Sequence, residues 1–187
     1  MTARTEAVVI GASAGALDAL SAILPSLPAG FRLPIMVVVH VPADKRSMLA
    51  ELFRSKCQID VREAEDKEPI VGGTVYFAPP DYHLLVEMDR TLALSSDEPV
   101  LYSRPSIDVL FESAADAYED ALVGIVLTGA NQDGARGLSA VVALGGLALV
   151  QNPDEAFASA MPEAAIHLCP GAKILSLNAI AAFLREV

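Results

Sequence analysis

The sequence predicts an α/β fold, a three-layer α/β/α sandwich with a mainly parallel central sheet and one hairpin. Two observations predict it. Short, continuous apolar runs, such as IMVVV and LVGIVL, alternate with segments whose apolar residues fall at helical spacing. The strand-like runs also lack the in–out alternation of a half-exposed sheet, so helices must cover both faces. The chain of 187 residues suits one domain over residues 1–187.

Glu6–Gly11 (EAVVIG) reads as a buried strand, followed by a helix carrying Leu17, Leu20, Ile23 and Leu24. Pro25, Pro28, Gly30 and Pro34 mark a loop, and Ile35–Val39 is the next strand. Val41-Pro42 halts strand pairing after it. Met48, Leu49, Leu52 and Phe53 give a helix, and Thr74–Ala78 a strand stopped by Pro79-Pro80. His83–Met88 and Thr91–Ser95 read as a hairpin turning at Asp89-Arg90. Ser106 is placed to cap a helix bearing Asp108, Val109, Leu110 and Ala114. Leu122–Leu127 is a strand, Ala135–Leu144 a helix and Leu147–Val150 a strand. Ala164–Leu168 and Leu177–Arg185 complete the chain as helices.

Composition narrows the function. A net charge of −11 argues against a nucleic-acid backbone as partner, since that rewards clustered Lys and Arg. An apolar fraction of 53% suits a sizeable core, yet no apolar run approaches the roughly 18 residues needed to cross a bilayer. The opening Met1–Glu6 segment has no signal-peptide pattern, which points to the cytoplasm. Cys57 and Cys169 lie far apart without ligand-spaced neighbours, so both are expected as free thiols and no metal is expected.

In parallel sheets, ligands sit beyond the carboxyl ends of the strands. Three reactive residues follow apolar strands here: Ser13 after AVVIGA, His40 after IMVVV and Asp133 after GIVLTG. Ser13 lies in Gly11-Ala-Ser13-Ala-Gly15, a G-x-S-x-G turn between strand and helix, the setting of a nucleophile elbow. Read singly, each residue has a plainer role. Ser13 could cap the helix, His40 could be a satisfied loop histidine, and Asp133, before Gly134, could hold a turn or cap. Together they make a nucleophile, a base and the acid that orients the base. His83, beginning a hairpin strand, is the next candidate base, and His167 is expected to be structural.

The motifs VVIGASAGALDAL, VVVHVP, GGTVYFAPPDYHLLV, RPSIDVLFESAA, GIVLTGANQDGARGL and ASAMPEAAI occur in an order that resembles the catalytic domain of the CheB family, the chemotaxis protein-glutamate methylesterases. The resemblance implies a parallel α/β/α fold and a catalytic triad of Ser13, His40 and Asp133. It also implies hydrolysis of glutamate γ-methyl esters on chemoreceptors, deamidation of particular glutamines, and no cofactor. Where family members usually carry Thr, Gly, Met and Gly, this chain has Ala14, Ala16, Ala130 and Asn131. Ala14, Gly15, Ala130 and Asn131 are expected to line the pocket and oxyanion hole. Arg104 and Arg136 are candidates for docking acidic receptor segments, or else ordinary surface ion pairs. The family's usual N-terminal receiver domain is expected to be absent, because the first strand begins within the opening residues. A binding or scaffold module, or an esterase for another substrate, are the alternatives.

Overall fold

A computed structural model describes residues 4–41 and 47–187; the Pro42 expected to end a strand and the first three residues of the opening segment lie outside them. Seven strands form one parallel sheet: β1 (Ala7–Ala12), β2 (Ile35–Val39), β3 (Asp60–Glu63), β4 (Thr74–Phe77), β7 (Leu122–Val126), β8 (Leu147–Gln151) and β9 (Lys173–Leu175). Their order is β3-β4-β2-β1-β7-β8-β9. β5 (His83–Val86) and β6 (Leu92–Ser95) pair antiparallel as the expected hairpin.

The central strands are buried on both faces, and their period of two divides each between two cores. Val8, Ile10 and Ala12 of β1 face one core, while Ala7 and Val9 face the other. β2 divides likewise, with Ile35, Val37 and Val39 against Met36 and Val38. The first core is closed by α1 (Ala16–Ile23), α2 (Leu49–Arg54) and α6 (Leu177–Glu186). The second is closed by the hairpin with α3 (Ile107–Tyr118), α4 (Ala135–Ala143) and α5 (Ala160–Leu168). Each fully buried Val, Leu or Ile contributes about 1.5–3 kcal/mol, so both layers are strongly held.

Sequence and structure differ in three elements. β3 (DVRE) buries only Val61, and the edge strand β9 (KIL) is mostly exposed, so neither carried an apolar signature. α5 begins at Ala160, four residues before the expected start, because Pro162 falls in its first turn, where its missing N–H costs nothing.

The connections leaving β1 and β7 diverge to opposite halves of the sheet, which opens a crevice at their carboxyl ends. Gly11 of β1 has no room for a side chain: an added Cβ would lie 2.3 Å from Ile107 Cγ2. The amino end of α3 therefore rests directly on the end of β1.

Candidate active site

Backbone pairing continues past the strands and sets the spacing of the site. Ala12 is the register partner of Val39, so Ser13 and His40 are the next pair on adjacent strands, which run about 4.8 Å apart. The His40 N–H donates to Ala12 O (3.2 Å), and the Ser13 N–H donates to Thr128 O (2.9 Å), just past β7. Among the described residues, no hydrogen bond joins the Ser13 hydroxyl to the His40 ring.

Gly15, two residues after Ser13, has a φ of +85°, a left-handed conformation that favours glycine. α1 starts immediately afterwards. The turn is stapled by Thr128, whose hydroxyl donates to Ala14 O (2.8 Å) and accepts from the Ala158 N–H (2.9 Å). With the Ser13 amide committed to Thr128, the amides of Ala14, Gly15 and Ala130 have no acceptor among the described residues. Asn131 fixes the turn through its Oδ1, which accepts from the Asp133 N–H (3.0 Å).

His40 and Asp133, 93 residues apart, meet at 2.7 Å through Nε2 and Oδ2. The carboxylate is fully buried and accepts four hydrogen bonds. Oδ2 also takes the Ile107 N–H (2.7 Å), while Oδ1 takes the Asp108 N–H and the Ser106 hydroxyl, both at 2.9 Å. Asp133 thus caps α3 while holding His40, so its capping role and its histidine-orienting role coincide. Burial alone would raise its pKa. The His40 hydrogen bond and the amides of Asp108 and Ile107 outweigh burial and hold the carboxyl below its ordinary value.

The cap is reciprocated. Asp108, in the first turn of α3, accepts from the Gly134 N–H (3.0 Å) and the Gly137 N–H (2.7 Å) at the amino end of α4. Two helices with adjacent amino ends each have their dipole met by a carboxylate from the other's end. Burial pushes the Asp108 carboxyl up to about 6, the Gly137 amide opposing the rise and the charge of Asp133 adding to it.

The structure corrects several residue-level expectations. Ser106 sits at the N-cap of α3, but its side chain makes no capping bond; the hydroxyl supports Asp133 instead. His83 is buried and bridges two backbone groups. Its Nδ1 accepts from the Ser106 N–H (3.1 Å), which leaves Nε2–H to donate to Glu98 O (2.9 Å). That fixes a neutral tautomer with a positioning role. His167 is exposed on α5. The Arg104 guanidinium binds Asp81 and the carbonyls of Ser96 and Asp97, and Arg136 pairs with Glu112, so both arginines have intramolecular partners. Cys57 and Cys169 are free thiols, and no metal-binding cluster occurs among the described residues.

Sequence reasoning missed Ser106, Asp108 and Thr128 as supports, because each acts across a tertiary contact. It also missed two exposed aromatics. Phe157 lies against Gly15, and Tyr102 lines a cavity of about 190 Å³ together with His40.

Comparison with known proteins gives a consistent family. The model of the CheB methylesterase family matches residues 8–184. A Leptospira interrogans protein described as a putative protein-glutamate methylesterase/protein-glutamine glutaminase is 49% identical over 176 residues, which cover 94% of this chain and 91% of that protein. A Trichodesmium erythraeum protein-glutamate methylesterase/protein-glutamine glutaminase is 38% identical over 97% of this chain, which spans 52% of it. The crystal structure of the Thermotoga maritima CheB methylesterase catalytic domain superposes with a TM-score of 0.93 at 31% identity, covering 97% of this chain and 98% of that one.

Proposed function

Because the chain belongs to the CheB methylesterase family, we propose that it hydrolyses γ-methyl glutamyl esters, and deamidates glutamines, on a chemoreceptor in the cytoplasm, with Ser13 as nucleophile, His40 as base and Asp133 as orienting acid. The observation that carries this reading is the 2.7 Å contact between His40 and a four-fold satisfied Asp133, with Ser13 as the register neighbour of His40. No described helix is long and apolar enough to cross a membrane, in keeping with action on the exposed part of a receptor.

The reading carries a specific proton path. With Nε2 within 2.7 Å of Asp133, Nε2–H donates to the carboxylate in this mechanism and Nδ1 serves as the base for Ser13. Nδ1 takes the hydroxyl proton as Ser13 Oγ attacks the ester or amide carbon, and the Oγ–H···Nδ1 bond shortens as substrate closes the site. The amides of Ala14 and Ala130, which have no acceptor among the described residues, receive the oxyanion, and such donors typically contribute about 3–4 kcal/mol each. His40 returns the proton to the departing methanol or ammonia. Water, deprotonated by the same nitrogen, then attacks the acyl-serine, and Ser13 recovers its proton as glutamate leaves.

Ser13→Ala tests the assignment. Methanol release from a methylated receptor fragment should fall at least a thousandfold while the urea midpoint stays unchanged. A folded variant with wild-type turnover would remove Ser13 from the reaction.

A further inference from the structure

Large apolar side chains at a monomer's surface are unremarkable singly and informative when they gather at one place. Among the described residues, the two most exposed are Tyr102 and Phe157, at 104% and 82%. Both border the proposed triad, one beside the Ser13 turn and the other beside His40. Phe157 lies between β8 and α5 and leans on the nucleophile turn: a Cβ added to Gly15 would lie 2.6 Å from Phe157 Cβ. Tyr102 lies between β6 and α3 and shares the cavity beside His40 with Pro99 and Pro105.

The Tyr102 position is maintained against a local cost. Val100 and Ser103 exchange backbone hydrogen bonds of 3.0 and 2.9 Å around a two-residue turn. Its central residues, Leu101 and Tyr102, have φ of +49° and +64°, a conformation that turns of this kind normally give to Asn or Gly. The base of the loop is clamped by Arg104, bonded to Asp81 and to the Ser96 and Asp97 carbonyls. A strained turn on an anchored base, ending in a fully solvated aromatic beside His40, fits a contact made with a ligand. It has no use in the packing of the free chain.

We propose that Phe157 and Tyr102 are specificity-determining residues, two aromatic jaws that pack on apolar side chains neighbouring the modified glutamyl residue of a polypeptide substrate. The inference rests on the hydrolase reading above. That reading also fixes the occupant: Phe157 leans on the turn that carries Ser13 and Tyr102 shares the cavity beside His40, so a polypeptide seated at Ser13 lies next to both rings. Exposed aromatics are well suited to such packing, since each brings large area with few torsions to freeze, and such residues dominate measured interface energies. A small ester lacks the neighbouring side chains on which the jaws would pack.

The test compares two substrates, a methylated receptor cytoplasmic fragment and the small ester N-acetylglutamate γ-methyl ester. Tyr102→Ala and Phe157→Ala should each lower kcat/KM on the fragment about tenfold, chiefly through KM, and change it less than twofold on the small ester. Tyr102→Phe and Phe157→Tyr should restore fragment hydrolysis. Matched losses on both substrates, or no loss on the fragment, overturn the proposal while leaving the triad reading intact. A wild type that cleaves the small ester but not the fragment overturns the substrate reading and the proposal with it. Retained hydrolysis in Ser13→Ala points instead to failure of the triad.

Discussion

Replacing Asp108 with Asn should stabilise the protein at neutral pH. The side chain is 2% exposed, and its carboxyl is pushed from an ordinary 3.8 to about 6. Between these values the folded chain keeps a proton that the unfolded chain has released. Stability therefore falls as pH rises through that window, and the full cost stands above it. Two pKa units at 1.36 kcal/mol each make about 3 kcal/mol. Asn resembles the neutral acid, and its carbonyl oxygen can still accept from the Gly134 and Gly137 amides. Asp108→Asn should therefore match the wild type near pH 4 and exceed it by about 3 kcal/mol at pH 7. Urea denaturation at pH 4.5, 5.5 and 7 measures the gap. Asp133 has a lowered pKa, so its own contribution is lost only as pH falls below the usual carboxylate range, outside this series. A variant no more stable than wild type at pH 7, or a gap that fails to close toward acid, refutes the reasoning.

Other substitutions probe the same cluster. Asp133→Asn should lower kcat on the order of 10³–10⁴-fold in the methanol-release assay, because an amide facing Nε2 favours the tautomer with its proton on Nδ1. It should also cost about 1–3 kcal/mol in urea denaturation: each Asp133 oxygen accepts a backbone N–H, so either amide orientation sets NH₂ against an amide donor. Ser106→Ala removes one of the four donors to Asp133 and should cost about 1.5–3 kcal/mol in the same measurement, with a smaller loss of kcat than Asp133→Asn.

The central strands and the residues at their ends were legible because double-sided burial writes continuous apolar runs into β1, β2 and β7. Strand-end logic then brought forward Ser13, His40 and Asp133 without knowledge of any contact. β3 and β9 were hidden because an edge strand needs few apolar residues: Val61 alone turns inward from β3. The supporting shell was hidden for a different reason. An N-cap serine before a helix reads as a cap, yet the Ser106 hydroxyl turns to a carboxylate 27 residues onward, and Asp108 and Asp133 exchange helix ends across the α3–α4 contact. Such bonds leave no periodic trace. Phe157 and Tyr102 were missed because loop aromatics show their exposure only in three dimensions.

The register between β1 and β2 has a practical consequence for redesign. Ser13 and His40, the proposed nucleophile and base, follow the last register pair of one ladder, whereas the two aromatics stand on separate loops that contribute nothing to that ladder. Grafting different sequences into the β6–α3 and β8–α5 connections should thus retarget the protein while Ser13 and His40 keep their separation.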